Sequence, residues 1–532
     1  MPISAAVKPN LYKDSVALMR VGEVALALAG VQRATLLMGT SGNKEMLDGL
    51  ALLRDEFESA RPSDLMIFVE AESEAACNAA HDEITRMLEG KAVAGSSPQA
   101  DAHVSAPSSI ALAAKRIDHA DLAQISVPGP YAGAEAMKAL KQGLHVFLFS
   151  DNVPLDQERA LKELARRKNL LVMGPDCGTA ILCGIPLGFA NVVRRGRIGL
   201  VGASGTGLQE VTCRIHALGQ GVSHAIGTGG RDVYDEVGGV TMRQAIDLLV
   251  ADPETHVVVI VSKPPGPVVA REMLAHAERA GKPFVVLFLG AAEGTGLRSA
   301  NVFAVSTLEE AAAAAVSFAT TGRFDAHEIA VNPHSIVDAE AGKLAPSQRY
   351  IRGLYSGGTF CTEAQLVWGA LGMRVQSNVP LKKDQVSADD SETGSHSAID
   401  FGADEFTVGR PHPMIDMSTR IEQLGREARD LSVAVVVLDV VLGYGSHDDP
   451  AGALAPAIAQ AQTVARTSGR HLSVVTFVCG TADDPQRLST QQERLRSAGA
   501  LVVESSTAAA RLAGSIIAAV TMSDVPAMAR SV

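Results

Sequence analysis

Aromatic side chains are scarce in this chain: Phe, Tyr and Trp together make 4% of 532 residues, and Trp occurs once. Such a composition argues against a β-sandwich, and a hydrophobic content of 47% argues against a disordered protein. Heavy use of Ala and Val suits parallel sheets covered by alanine-rich helices. Cysteine is also sparse. Cys77, Cys177, Cys183, Cys213, Cys361 and Cys479 stand apart with no CxxC spacing, which predicts reduced thiols and neither a disulfide framework nor a metal site. Positive charge is in deficit, with a net charge of −12, which speaks against nucleic acid as a partner. It leaves small anionic substrates open, because local helix ends decide those. No apolar run reaches membrane-spanning length, since Ala311–Val316 gives way at once to Ser317-Phe-Ala-Thr-Thr-Gly. Met1–Lys13 lacks the apolar core of a secretory signal. The expectation is a soluble, cytoplasmic protein that works without a membrane.

The length predicts roughly three to four domains. The organising stretch is Arg197-Ile-Gly-Leu-Val-Gly-Ala-Ser-Gly-Thr-Gly-Leu-Gln-Glu210, in which a short apolar strand runs into a glycine turn and then a helix. That sequence of elements presents backbone N–H groups and a positive helix end to an anion. The chain does this twice: Leu354-Tyr-Ser-Gly-Gly-Thr-Phe-Cys-Thr-Glu363 echoes Val201–Glu210. The echo continues through the helices at Thr241 and Asp416, the strands at Val257 and Val433, and the strands at Phe284 and Leu472. It is a long-period internal repeat of one α/β domain. The predicted organisation is an N-terminal α/β unit (1–90), a linker (91–114) and a Rossmann-like unit (115–195). A first copy of the repeat (196–322), a linker (323–349) and a second copy (350–532) follow, the second with an acidic insertion near 378–408.

The chemistry is expected where glycine and proline turns meet the carboxyl ends of strands. Ser204, Gly205 and Thr206 from one copy and Ser356, Gly357, Gly358 and Thr359 from the other form a predicted phosphate clamp, two helix N-termini facing one anion. Lys263, in Val261-Ser-Lys-Pro-Pro-Gly266, follows a central strand as a phosphate ligand. His447, in Gly443-Tyr-Gly-Ser-His-Asp-Asp-Pro450, is the acid–base candidate at the equivalent place in the second copy. Arg231, Arg410 and His412 precede helices where they could clamp a carboxylate. No Ser-His-Asp order, zinc spacing, Walker loop or kinase signature is present.

Gly174-Pro-Asp-Cys177, Gly196–Thr206 and Gly227-Thr-Gly-Gly-Arg-Asp232 resemble the α subunit of succinyl-CoA synthetase, and the last domain resembles the ligase domain of its β subunit. The two in one chain, with Ser356-Gly-Gly-Thr-Phe-Cys-Thr-Glu-Ala-Gln365, resemble the FdrA family over nearly the whole length. The resemblance implies an α/β fold with a Rossmann-like, CoA-binding-type domain and two duplicated flavodoxin-like, ligase-type domains. It also implies CoA as a cofactor, for which Pro128, Gly129 and Cys177 are the contact candidates. Enzymes of this type phosphorylate a histidine in a loop that here reads Gly290-Ala-Ala-Glu-Gly-Thr-Gly-Leu-Arg-Ser299, without histidine. Lys263 stands where they carry the glutamate that holds it. What the family implies is therefore group transfer through an acyl phosphate. Its link is to oxamate carbamoyltransferase of allantoin breakdown, in which phosphate and carbamoyl phosphate are substrate and product and other subunits or further copies of the chain are partners. The alternatives are an acyl-CoA synthetase subunit and a non-catalytic scaffold that binds CoA or phosphate.

Overall fold

The computed structural model describes residues 1–11, 13, 15–40, 43–44, 47–48, 52–88, 107, 109–290, 301–324, 334–381, 394–407 and 410–523. Most of the expected linkers, the loop 291–300 and the acidic stretch 382–393 lie outside them. Two compact units form, one of residues 1–106 and 404–411, the other of residues 107–403 and 412–532.

The first unit is a three-stranded antiparallel sheet. Its elements are β1 (Ile3–Lys8), α1 (Ser15–Leu26), β2 (Val31–Met38), α2 (Asp55–Glu58), β3 (Leu65–Ala71) and α3 (Glu74–Leu88), with sheet order β1-β3-β2. Period-two alternation divides β3 cleanly. Leu65, Ile67 and Val69 pack with Leu18, Val21, Ala80 and Ile84, while Met66 and Phe68 pack with Leu52 and Phe57 on the other face. β1 was not foreseen, because Ile3-Ser-Ala-Ala-Val-Lys8 is short and rich in small residues.

The second unit opens with α4 (Ile110–Arg116), β4 (Leu122–Ile125), α5 (Gly129–Lys141), β5 (His145–Leu148), α6 (Leu155–Lys168) and β6 (Val172–Met173). Here β4, β5 and β6 make a small parallel sheet. A hairpin of β7 (Thr179–Leu182) and β8 (Ile185–Gly188) then leads to the first repeat copy. That copy runs β9 (Arg195–Ala203), α7 (Gly205–Ala217), β10 (Val222–Gly227), α8 (Val240–Ala251), β11 (Val257–Ser262), α9 (Pro267–Arg279), β12 (Phe284–Phe288), β13 (Val302–Ala304) and α10 (Leu308–Thr321). After α11 (His334–Ala341) comes the second copy: β14 (Tyr350–Tyr355), α12 (Gly358–Ala370), β15 (Val375–Gln376), β16 (His396–Asp400), α13 (Ser418–Glu427), β17 (Val433–Val441), α14 (Pro450–Thr467), β18 (Ser473–Cys479), α15 (Leu488–Ser497), β19 (Leu501–Val503) and α16 (Ser506–Ser523).

The sheet orders make the duplication plain. One sheet contains β10-β9-β11-β12-β13, the other β16-β14-β17-β18-β19, all parallel. Both have the doubly wound 2-1-3-4-5 order of a flavodoxin-like fold. The strands read as unbroken apolar runs such as Val257-Val-Val-Ile-Val261 because helices cover both faces. β7 joins the first sheet antiparallel to β10, so the hairpin falls with this copy rather than with the unit before it. β16 lies inside the stretch expected to be an insertion, and it forms a regular strand beside β14.

One continuous core runs through both copies. Leu208, Val211 and Ile215 of α7 and Leu308, Ala311, Ala312 and Ala315 of α10 meet Phe360, Ala364 and Trp368 of α12 and Ala509, Ala513 and Ile516 of α16. Alanine at the contact positions lets helices approach closely. Trp368 fills the space so created and donates its indole N–H to Ala510 O at 2.9 Å.

A second device ties the small sheet to the first copy. Lys162 of α6 is fully buried and donates to Glu158 Oε1 (2.8 Å), Asp232 Oδ1 (2.9 Å) and Thr228 O (3.1 Å). Asp232 also accepts the Thr241 and Met242 N–H groups at the start of α8. Removing one partner of a buried ionic cluster leaves the others uncompensated. Lys162→Met should therefore lower unfolding stability by about 3 kcal/mol or more, read by urea denaturation of the full chain; a loss no larger than that of a surface substitution would contradict the assignment.

Candidate functional site

Each copy leaves its first strand through a short turn of glycine and small hydroxyl residues. Ser204 sits extended at the head of α7, its Oγ accepting from Gly207 N at 3.2 Å. Gly357 heads α12 with no capping side chain. The two first turns meet: Ser204 Oγ and Thr359 Oγ1 are 2.6 Å apart. A Cβ added at Gly357 would lie 2.5 Å from Thr206 Cγ2, and one at Gly207 would lie 3.1 Å from Thr359 Cγ2. Ser204, Gly205, Thr206, Ser356, Gly357, Gly358 and Thr359 are thus brought together, and the positive ends of two helix dipoles with them.

Below this junction the copies exchange caps. Glu363 of α12 accepts from Leu308 N, at the start of α10, at 2.9 Å, and from the hydroxyls of Ser506 and Thr507. Glu210 of α7 accepts from Ser506 N, at the start of α16, at 3.0 Å. Each glutamate closes its motif on the first helix of one copy, and each is buried. Burial drives the Glu210 carboxyl up to about 7, with Glu363 adding to the rise and the Ser506 N–H and Arg214 opposing it. Glu363 is raised by burial as well.

At the strand mouths beside the junction lie groups that the sequence reading did and did not single out. Lys263 follows β11 and is exposed; a Cβ at Gly230 would lie 3.8 Å from its Nζ and 3.6 Å from Asp176 Oδ2. Asp400, at the end of β16, accepts from Gly402 N at 2.9 Å. Burial lifts its carboxyl to about 7; the Gly402 N–H and Lys263 oppose the rise, and Asp439 and Asp176 add to it. Asp439 of β17 accepts from Ser356 N at 2.7 Å, bonds the Ser356 hydroxyl, and takes Arg420 Nη1 at 3.3 Å. Asp176, Asp400 and Asp439 escaped the sequence reading. The available signal was position, since Asp400 ends a strand and Asp176 follows one, while Asp439 is a lone charge in the apolar run Val433–Val441.

The remaining candidates have these surroundings. Arg231 donates to Val153 O and pairs with Glu158 at 2.9 Å, with its side chain partly exposed. Burial pushes His412 down to about 4, and its ring lies 5.2 Å from that of Phe189. It is neutral at pH 7 and offers no positive charge to a carboxylate. Arg410 is exposed and belongs with residues 404–411 of the other compact unit. His447 accepts from Asp449 N on Nδ1 at 2.9 Å, which places its ring proton on Nε2. Pro128 and Gly129 open α5, where a Cβ at Gly129 would lie 2.4 Å from Asp151 O. Cys177 is corrected from cofactor contact to core residue. It is buried, its thiol is pushed up to about 12, and it faces Thr179 O at 3.6 Å.

With fold and site in view, the chain is of the CoA-ligase class. Residues 354–516 match the family described as CoA-ligase, residues 193–290 the CoA binding domain, and residues 1–104 the AllF, heavy metal-associated domain. The chain belongs to the FdrA family, with α-like and β-like ligase domains fused. It is 43% identical to the uncharacterized protein YahF of Escherichia coli over 97% of this chain and 99% of that one. It is 31% identical to the ADP-forming sulfoacetate-CoA ligase subunit SauD of Bilophila wadsworthia, over 36% of this chain and 67% of that one. Against the succinate–CoA ligase α subunit of Aquifex aeolicus it is 30% identical, over 27% and 48%. Among solved structures, the apo acetyl-coenzyme A synthetase 1 of Ca. Korarchaeum cryptofilum aligns at 14% identity with a TM-score of 0.32, over 76% of this chain and 86% of that one.

Two groups that these families imply were tested against the residues present. A pyrophosphate of CoA laid on the β9–α7 turn would lie beside Thr359 and Gly357, which pack on Gly207 and Thr206 there. The heavy-metal description does not fit the described part of residues 1–104. Their one cysteine, Cys77, turns its thiol to Pro2 O at 3.4 Å. Among the described residues no group of three or more His, Cys, Asp or Glu could hold a metal ion, and no helix is long and apolar enough to cross a membrane.

The exchanged caps make stability depend on pH. Glu210 has an ordinary value of 4.5 and a folded value of about 7. Between those values the unfolded chain is ionised while the folded one holds its proton, so stability falls as pH rises through the window and is level above it. Glu210→Gln lacks this loss. Relative to wild type it should gain on the order of 3 kcal/mol from pH 4.5 to 7.5, measured by chemical denaturation at each pH; a gap constant with pH would refute the account.

Proposed function

We propose that the chain transfers an acyl group through an acyl phosphate, and that the acyl group is carbamoyl. As a subunit of an oxamate carbamoyltransferase it would use inorganic phosphate to attack the ureido carbon of oxalurate, releasing oxamate and carbamoyl phosphate. The observation that carries this reading is the meeting of α7 and α12 through Ser204 and Thr359, 2.6 Å apart. Two helix ends at one point favour a compact, multiply charged anion, and a single tetrahedral phosphate needs only their N–H groups. Lys263, exposed at the adjoining strand mouth, adds a mobile positive charge of the kind that binds phosphate as a point ligand. Membership of the FdrA family supports the coarser part of this reading, an acyl-CoA-synthetase-like enzyme. Partner subunits, or further copies of the chain, complete the enzyme.

A second reading, an acyl-CoA synthetase subunit that works without phosphohistidine, is favoured by the CoA-ligase match at 354–516 and by the sulfoacetate-CoA ligase subunit SauD. The two are separated by assay. With its partner subunits the chain should release carbamoyl phosphate from oxalurate only when phosphate is present; ATP-dependent thioester formation without that release selects the second reading. Lys263→Ala should raise the phosphate concentration for half-saturation about 10- to 100-fold, the loss of one charge-assisted contact, with thermal unfolding unchanged. Unaltered phosphate saturation would exclude Lys263 as a ligand.

A further inference from the structure

We propose that Asp400 is the catalytic acid–base of this site, carrying one proton between the attacking phosphate and the departing amide nitrogen. The assignment rests on the carbamoyl-transfer reading above. Its geometry is its own. Asn378 holds the backbone of Asp400 from both sides, its Nδ2 donating to Asp400 O and its Oδ1 accepting from Asp400 N, each at 2.9 Å. The side chain is buried. One oxygen, Oδ1, takes the Gly402 N–H. The other is directed at the first residue of α12, where a Cβ on Gly358 would lie 2.9 Å from it. The carboxyl group therefore stands at one of the two helix ends assigned to phosphate, at a position that only glycine leaves open.

Its surroundings set it apart from the other carboxylates. Asp439 is bonded by Ser356 on both oxygens and paired with Arg420. Facing Asp400 are Lys263 after β11, Asp439 on β17 and Asp176 after β6. His412 approaches the same turn, its Nε2 2.8 Å from where a Cβ on Gly402 would stand. With its carboxyl lifted to about 7 by burial, Asp400 holds both protonation states near neutral pH, the condition for passing a proton each way.

The reaction requires such a group. A phosphate oxygen bonds to the ureido carbon, and the bond from that carbon to the oxamate nitrogen breaks with its electron pair staying on nitrogen. An amide nitrogen leaves only as it is protonated. Asp400 gives it that proton and takes one from the attacking hydrogen phosphate, so the carboxyl group ends as it began and no further reactant is needed.

The test compares wild type, Asp400→Asn and Asp400→Glu, as full chains with their partner subunits. Asp400→Asn keeps the acceptor for Gly402 N and should lose about 100- to 10,000-fold in phosphate-saturated rate, with half-saturation by phosphate little changed. Wild type and Asp400→Glu should show a rate limb near neutral pH that Asp400→Asn lacks. Phosphate binding by the full chain, followed calorimetrically from about pH 5.5 to 8.5, should weaken in wild type relative to Asp400→Asn as the carboxyl ionises, the variant showing only the pH dependence of phosphate's own ionisation. An Asp400→Asn enzyme that turns over normally overturns the assignment and leaves carbamoyl transfer standing. A wild type that binds phosphate with this pH dependence but never phosphorolyses oxalurate overturns the reading and, with it, the catalytic role. Should Asp400→Asn fail to fold, a wild-type phosphate affinity that follows phosphate's own ionisation alone overturns the assignment.

Discussion

The second unit depends on a reciprocal arrangement in which each repeat copy caps a helix of the other. Glu210 reaches from α7 to the start of α16, and Glu363 reaches from α12 to the start of α10. A buried carboxyl is expensive to desolvate, and the first turn of a helix is where that cost is best offset, by unpaired N–H groups and the positive dipole end. Because the caps are exchanged, neither copy can slide or rotate without stripping a helix end of its partner. Alanine-rich contacts alone would not fix that register, since small apolar surfaces tolerate sliding.

The register so fixed is what aligns the two glycine turns. Glu210 and Glu363 lie on the same helices as Ser204 and Thr359, one turn or more further in, so the caps position the Ser204–Thr359 junction from behind. From the front it is held by Asp439, which bonds Ser356 and is itself paired with Arg420. A strand mouth between two such supports can present helix ends to an anion without rearranging, which is the requirement for electrostatic stabilisation in a reaction.

Much of this was legible in the residues. The glycine turns, the long-period repeat and the apolar strands follow from turn chemistry and periodicity, and the two turns meet through Ser204 and Thr359. Other features were hidden for definite reasons. His396-Ser-Ala-Ile-Asp400 is a strand of mixed polarity next to acidic sequence, so its composition resembles a loop. The hairpin at Thr179–Gly188 was masked by the turn beside it. Glu210 and Glu363 ended both repeated motifs in plain view. Two charged residues at matching places in otherwise apolar helices signal a buried cap, but the partner helix end lies some 55 to 296 residues away in sequence and only the fold supplies it. His412 and Cys177 show the converse: a polar residue beside a glycine turn is as readily absorbed by packing as by a ligand.

The two copies are equivalent in topology and unequal at their mouths, and register shows where they diverge. Gly202 pairs with Gly227 in the first copy, as Tyr355 pairs with Asp400 in the second. Gly227 and Asp400 therefore occupy matching positions. A Cβ at Gly227 would lie 2.3 Å from Thr179 O and 2.5 Å from the Cys177 sulfur, because the β7–β8 hairpin covers that edge. In the second copy β15 takes the outer edge, running parallel to β16, and the same strand end carries a carboxyl group. The first copy has closed this position with backbone and supplies a lysine from its next strand; the second has kept the position for an acid. A duplicated scaffold thereby places unlike groups at its two mouths, a lysine after β11 in one half and a carboxyl group at the end of β16 in the other, which a symmetric pair of copies could not provide.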